Sequence, residues 1–314
     1  MLAVLWSGSA LFLSGGLSGE QVADATAATA ALPVVEEPQQ PLPTPEVEAG
    51  FDAEALRGRL EEIAGEHGGV YGVAVHEPVS GTGVSLRGDE GFVTASIGKL
   101  PPFLALYRAA ARGELDLEEE IQILPTDVQS YGSGELHAFP VGYSMSLREC
   151  AFWLVNRSDN TAWMMLNRRL GDEKIRAELE EMGVENTLYS NLSDYVATPE
   201  DVLLMLQKIS DLSYTSAKLS TEMLAAMTDT VFEDRIPEKL PADVRVAHKF
   251  GSYGDNFGDA GIVFYKDGQG VEKRYYLVVL SRGTGEYDAR DAIPSMSLAV
   301  YEALAGEGVS SNGQ

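Results

Sequence analysis

Apolar residues recur at helical spacing where the folded region begins, and short apolar runs follow them. One face of a predicted helix carries Leu56, Leu60 and Ile63. Residues 70–76 and 84–87 form apolar-rich runs that predict two strands, joined by a turn rich in proline and glycine. The folded part of the chain is therefore predicted to begin with a helix and two strands.

The middle of the chain has a different pattern. From residue 96 to about residue 227, apolar positions recur mostly at helical spacing. Strand-like runs return over residues 244–250, 261–265 and 275–281, and a final helix is predicted over about residues 291–304. The predicted order is a helix, two strands, a helical block, three strands and a helix.

This order predicts an α+β fold arranged as an α/β/α sandwich. A two-stranded hairpin is marginally stable alone, so strands from both ends of the chain must share one antiparallel five-stranded sheet. The N- and C-terminal helices would cover this sheet, and the block at about 96–227 would form an inserted all-helical lobe. Because ligands bind preferentially in clefts, we expect the functional site between the sheet and this lobe.

The ends of the chain differ from its centre in composition. Residues 1–19 are apolar and uncharged and predict a signal or membrane-anchor segment, although no basic residue precedes Arg57. Residues 20–50 are rich in Pro, Ala and Glu and predict a disordered linker. The folded domain is expected over residues 51–306, with a disordered tail at 307–314. This layout predicts an extracytoplasmic domain, secreted or membrane-anchored, and we expect a monomer.

The charge and the cysteine content limit the possible partners and chemistry of the protein. The formal net charge is −25, from 48 acidic and 23 basic residues, so a nucleic-acid partner is excluded on electrostatic grounds. Cys150 is the only cysteine and lies in an apolar run, which predicts a buried, inert thiol. The four histidines show no ligand spacing, so neither a metal nor any other cofactor is predicted.

The first motif with chemical content is Ser96-Ile97-Gly98-Lys99. If Ser96 begins a helix, the i, i+3 spacing places Lys99 on the same face. A serine hydroxyl is a weak nucleophile and needs a neighbouring base, which a lysine can supply if burial lowers its pKa. Pro101 and Pro102 are tolerated only in a first helical turn, which supports a helix start close to Ser96.

Two further motifs follow in the chain. Ser158-Asp159-Asn160 is a polar triplet between two apolar runs, and buried polar groups need partners, which an active site would supply. Lys249-Phe250-Gly251-Ser252 is predicted at the end of a strand leading into a turn, where it would place a cation and free backbone amides over the cleft.

In this order the three motifs resemble the S-x-x-K, S-D-N and K-T-G set of class A β-lactamases and penicillin-binding proteins. The resemblance covers about residues 51–306 and implies the β-lactamase/transpeptidase-like fold, a serine hydrolase activity and an acyl-enzyme intermediate. It also implies a β-lactam or a small substrate like a peptidoglycan stem peptide, and a bacterial cell envelope location.

The resemblance implies a role for each matching residue. Ser96 would attack the carbonyl carbon and Lys99 would activate Ser96, while Ser158 would pass a proton to the leaving nitrogen. Asn160 would position Lys99 and the substrate, and Lys249 would stabilise negative charge near Ser158. Substrate-binding positions would be Gly251, Ser252 and Tyr131. The amides of Ser96 and Ser252 would form the oxyanion hole, and Tyr131 would be either an aromatic wall at the entrance or a packing residue.

Two departures from the family pattern concern the substrate and its release. Phe250 stands where the family has Thr or Ser, whose hydroxyl helps to hold the substrate carboxylate. Ser252 is the candidate to take over part of this role, and Arg282 is the candidate for the supporting arginine. The Glu-x-x-Leu-Asn segment that orients the deacylating water is missing from residues 184–199, where Glu185 and Asp194 are the carboxylates. Without a placed base, the acyl-enzyme would persist.

Three functions therefore remain open from the sequence. The first is a β-lactamase-like hydrolase that acylates and turns over. The second is a D-alanyl-D-alanine carboxypeptidase or other penicillin-binding enzyme, with the same acylation and slow deacylation. The third is a non-catalytic wall- or ligand-binding module on the same fold, which Phe250 supports and the set of Ser96, Lys99, Ser158 and Asn160 opposes.

Overall fold

Strands from both ends of the chain frame a central set of helices in the computed structural model, which describes residues 50–189, 195–267 and 269–306. The strands are β1 (Val70–His76), β2 (Gly83–Leu86), β3 (Phe92–Val93), β4 (Glu120–Gln122), β5 (Ser144–Ser146), β6 (Val196–Ala197), β7 (Arg245–Tyr253), β8 (Asn256–Lys266) and β9 (Glu272–Arg282). The helices are α1 (Ala53–Glu66), α2 (Leu100–Ala111), α3 (Leu147–Asn156), α4 (Asn160–Leu170), α5 (Asp172–Met182), α6 (Pro199–Ser210), α7 (Ala217–Ala226) and α8 (Glu286–Ala305).

The main sheet has the strand order β2-β1-β9-β8-β7, and every neighbouring pair is antiparallel. The first and last strands of the chain meet at its centre, where Val73 faces Val279. β7 is the edge strand nearest the inserted helices, and Lys249 on it pairs with Ala260 on β8. The predicted five-stranded antiparallel sheet, built from both ends of the chain, is confirmed.

Two apolar cores lie on opposite faces of the sheet. On one face α1 and α8 pack through Leu60, Ile63 and Ile293, and Asp52 caps α1 by accepting from the amide of Ala55 at 3.0 Å. On the other face α6 packs against β1 and β9 and joins the larger core of the helical lobe. The α/β/α sandwich with an inserted helical lobe is therefore confirmed.

Several predicted boundaries are corrected by the structure. The final helix begins at Glu286 rather than about residue 291, because the acidic side chains of Glu286 and Asp288 favour a helix N-terminus. The strand predicted to end at residue 250 continues to Tyr253. The middle block, predicted as mostly helical, also contains the short pairs β3–β6 and β4–β5, whose two or three residues are too few to show a strand period.

The predictions for residues 1–19, for 20–49 of the linker and for the 307–314 tail lie outside the described residues. Within the described ranges, no helix is both long and apolar enough to cross a membrane.

The packing of α1 on the sheet gives a stability prediction. Leu60 is fully buried, so Leu60→Ala is expected to lower the free energy of unfolding by about 2–5 kcal/mol, from lost transfer energy and an unfilled cavity. Urea unfolding followed by circular dichroism measures this. Glu61→Ala on the same helix is the control, because its ion pair with Arg57 is exposed and is worth only about 0.5 kcal/mol. Equal losses in both variants would contradict this packing.

Candidate active site

A strained turn places Ser96 at the head of the helical lobe. The amide and hydroxyl of Thr94 both donate to the carbonyl of Tyr195, at 3.0 and 3.2 Å. Ala95 then adopts a positive φ of 49°, a conformation that costs energy for a residue with a side chain. A 3-10 helix, Ala95–Lys99, follows and leads into α2. The predicted helix start is thus one turn early, because the first turn is 3-10.

Lys99 lies at the centre of the site. Its side chain is fully buried, and its Nζ is 3.0 Å from Ser96 Oγ, 2.8 Å from Asn160 Oδ1, and 2.6 and 3.1 Å from the carbonyl oxygen and Oγ of Ser158. The indole ring of Trp163 covers the ammonium at 5.1 Å. The structure therefore brings the first two motifs into direct contact through one amine.

The second motif is a sharp connection between α3 and α4. Ser158 has a positive φ of 53°, which turns its carbonyl and hydroxyl towards Lys99. Asp159 caps α4 by accepting from the amide of Ala162 at 2.9 Å, and its other oxygen accepts from the amides of Glu135 and Leu136. The carboxylate therefore fixes the loop that carries Tyr131 beside the motif.

The third motif reaches the same place from the edge of the sheet. Lys249 is buried, and its Nζ donates to Ser158 Oγ and to the carbonyl of Phe250, both at 3.0 Å. Gly251 permits the close approach of β7 to the turn before Ser96, because a Cβ there would lie 2.2 Å from the carbonyl oxygen of Thr94. Ser158 thus joins the two lysines.

Burial controls the protonation of both lysines. Burial lowers the pKa of Lys99 well below its usual range, and the charge on Lys249 lowers it further, against the opposing effect of Asp159. Burial also lowers the pKa of Lys249 to about 7, although Asp259 acts to raise it. A lysine with a depressed pKa can exist as the neutral amine and accept a proton near neutral pH.

The cleft beside Ser96 contains some of the predicted binding residues. Tyr131 and Ser252 line it, and the Tyr131 carbonyl accepts from Asn160 Nδ2 at 2.9 Å. The Tyr131 side chain is 68% exposed, which suits a position at the entrance rather than a packing role. Gly251 lies behind the cleft lining, where it allows the close approach just described.

Sequence reasoning missed several residues that line the cleft: Ala95, Gln129, Gly132, Ser133, Trp163, Met164 and Tyr253. Trp163 had a usable signal, because it follows Asn160 by three positions on a helix and therefore shares its face. Tyr253 had none, since it depends on the extension of β7 beyond the predicted strand end.

Two further side chains singled out from the sequence, Cys150 and Arg282, lie outside the three motifs. Cys150 is fully buried, and burial raises the pKa of its thiol, which keeps it protonated. Arg282 donates to Glu90 at 2.6 Å and to the carbonyl of Gly91 at 2.9 Å, and its guanidinium stacks over Phe92. These contacts do not support the choice of Arg282 as a substrate-carboxylate partner.

His248, next to Lys249 on β7, lies in a buried ionic cluster. Its Nδ1 is 2.8 Å from Asp259, and its Nε2 is 3.3 Å from Glu233 and 3.2 Å from the hydroxyl of Thr230. Burial acts to lower the pKa of His248, but the two carboxylates outweigh it and raise the pKa to about 9. The imidazolium therefore holds the loop over residues 228–236 against the sheet.

A buried lysine in contact with two serine hydroxyls, set between a β-sheet and a helical lobe, defines a serine acyl hydrolase. Comparison with known proteins gives the family: the Beta-lactamase enzyme family matches residues 55–304. The chain belongs to this family and is a serine hydrolase of the β-lactamase type.

Individual relatives agree with this assignment. The chain is 24% identical over 236 residues to the β-lactamase VEB-1 of Pseudomonas aeruginosa, which covers 67% of this chain and 78% of that protein. It is similar to the solved structure of PBP-A, with 25% identity and a TM-score of 0.75 over 81% of this chain and 98% of that one. A β-lactamase structure from Sphaerobacter thermophilus has the same fold, with 23% identity and a TM-score of 0.73 over 81% and 98% of the two chains.

The His248 cluster gives a prediction about stability and pH. The folded pKa is raised from 6.5 to about 9, so the stabilisation is fully present below pH 6.5 and is lost as the pH rises through about 9. The stability of the wild type relative to His248→Gln should therefore fall by about 3 kcal/mol between pH 6 and pH 9.5. Urea unfolding at both pH values measures it. A difference that grows with pH would contradict a charged imidazole.

Proposed function

We propose that Ser96 opens β-lactam rings through an acyl-enzyme and that Lys99 is the base that activates it. The observation that carries the proposal is the 3.0 Å contact between Lys99 Nζ and Ser96 Oγ at a fully buried amine. Burial favours the neutral amine, which can accept the serine proton as the new bond forms. The solved penicillin G acyl-enzyme complex of a PBP-A mutant, which shares this fold, supports the same kind of product.

The proton transfers of the acylation step run between groups that are in contact in the structure. The Ser96 Oγ–carbon bond forms while the serine proton passes to Lys99, and the ring carbon–nitrogen bond then breaks. The leaving nitrogen takes a proton from Ser158 Oγ, which Lys99 resupplies across 3.1 Å. Lys249, 3.0 Å from the same hydroxyl, stabilises the negative charge that develops there. The amides of Ser96 and Ser252 are the proposed oxyanion donors.

The same environment favours a slow second step. The oxygens that contact Lys99 belong to hydroxyl, carbonyl and amide groups, and Trp163 covers the ammonium. None of these groups is a carboxylate that could take the proton from a water attacking the ester. We therefore propose that the acyl-enzyme is hydrolysed slowly.

A peptide is a second proposed substrate, because β7 is the edge strand of the main sheet and carries Lys249. An extended peptide can add to such an edge by backbone hydrogen bonding. We also propose that the domain acts outside the cytoplasm, which the apolar residues 1–19 and the proline-rich segment after them support. Cell fractionation of the full chain tests this location. The monomeric state stays a prediction.

The nucleophile is tested by intact mass after mixing the protein with penicillin G. The wild type is expected to gain the full mass of the drug and to keep it for many minutes, because its second step is slow. Ser96→Ala is expected to gain nothing, since the attacking oxygen is gone. Ser130→Ala, a serine on the neighbouring exposed loop, is the control and should acylate normally.

An adduct on Ser96→Ala would contradict the assignment of Ser96 as the nucleophile. An adduct that clears rapidly on the wild type would contradict the slow second step alone. Glu185→Gln and Asp194→Asn would then show whether either carboxylate of that stretch supplies the missing base.

The two lysines also predict a pH profile. The second-order rate of acylation should rise with pH as Lys99 loses its proton, because its pKa is lowered. It should fall again above about pH 7, where Lys249 loses its charge. Stopped-flow measurement from pH 5 to 10 gives the profile. Lys249→Arg keeps the cation at every pH and should move the falling limb of the profile to higher pH. A falling limb at the same pH would show that another group causes it.

A further inference from the structure

An aromatic pair borders the third motif. Phe250 directly follows Lys249 on β7, and its ring stacks on Phe232 with centroids 3.8 Å apart and planes 27° apart. The Phe250 centroid is 4.5 Å from Lys249 Nζ, which itself contacts Ser158 Oγ at 3.0 Å. The Lys249 ammonium group therefore contacts both the aromatic pair and the Ser158 hydroxyl, which would protonate the leaving nitrogen.

The pair is held by the loop and the strand together. The amide of Phe232 donates to Thr230 Oγ1 at 3.1 Å, and this hydroxyl donates to Glu233 at 2.9 Å. Both Thr230 and Glu233 contact the ring of His248 on β7. The backbone beneath Phe232 is therefore tied to the strand that carries Phe250, so the stack is a built feature of the site.

This arrangement is unfavourable for a substrate carboxylate. A phenyl ring donates no hydrogen bond, and Lys249 is 1% exposed, with protons directed to Ser158 Oγ and the Phe250 carbonyl. A carboxylate placed against the rings would lose its hydration without gaining a partner of equal strength. A neutral or apolar group would lose little and would gain contact area.

We propose that the enzyme selects substrates whose group on the leaving side of the scissile bond is neutral or apolar. This inference rests on the proposed acylation of Ser96. Phe250 and Phe232 are the residues that determine this specificity. The substrate class is then an amide or lactam without a free carboxylate beside the leaving nitrogen. Arg157, half-buried immediately before Ser158, is the alternative cation that the experiment tests as a carboxylate anchor.

The experiment compares penicillin G with its methyl ester, which differ only in this carboxylate. Rates of acylation are measured by intact mass for wild type, Phe250→Thr and Phe250→Leu. The ratio of ester rate to acid rate is expected to fall by about tenfold or more (about 1.4 kcal/mol or more) in Phe250→Thr, which restores a hydroxyl. It should stay near the wild-type value in Phe250→Leu, which keeps an apolar group. Comparing ratios removes the intrinsic reactivity of each compound.

A ratio unchanged by Phe250→Thr would overturn the inference. If a wild-type preference for the acid also disappears in Arg157→Gln, the arginine is the carboxylate anchor instead. If Phe250→Thr does not fold, Phe232→Thr is used instead, and the same fall in the ratio is expected.

Binding to the Ser96→Ala variant separates this inference from the proposed function. Titration calorimetry of the two compounds needs no acylation. Tighter binding of the ester to Ser96→Ala, reversed when Phe250→Thr is added, supports the inference even if the wild type forms no adduct, in which case only the proposed acylation fails. Equal effects of Phe250→Thr on the acid and the ester would overturn the inference.

Discussion

The burial of one amine organises this protein. Lys99 Nζ contacts oxygens from Ser96, Ser158 and Asn160, and these come from two separate turns of the chain. Removing an ammonium from water is costly unless it is well paired, so each oxygen must be held in place. The backbone supplies that hold through positive φ angles at Ala95 and Ser158, two of the four non-glycine residues with this conformation among those described.

The same constraint explains why the sheet and the lobe meet where they do. Lys249 reaches Ser158 only because β7 passes close to the turn before Ser96, which Gly251 permits. Two like charges so near each other favour the neutral form of one of them. The lobe therefore contributes the nucleophile and its base, while burial and the cation at the sheet edge together lower the pKa of that base.

Much of this was accessible from the sequence. The sheet with strands from both chain ends followed from the order of apolar runs, and the motif residues could be singled out by residue type and spacing. The Phe232–Phe250 stack was not predicted, because it depends on which distant element faces a side chain, and neither spacing nor composition records that. Trp163 was missed although its spacing from Asn160 places both on one helix face. The start of the last helix was misplaced because Glu286 and Asp288 act through the helix dipole rather than through an apolar period.

The central position of β9 has a consequence for how the enzyme is made. β9 lies between β1 and β8, so Val70 pairs with Arg282, near the opposite end of the folded domain. Contacts between such distant residues form late, because a long loop must close before they contribute. A growing chain that already contains Ser96, Lys99 and Ser158 still lacks the strand that completes the sheet. The domain therefore gains acylating activity only when its synthesis is nearly finished.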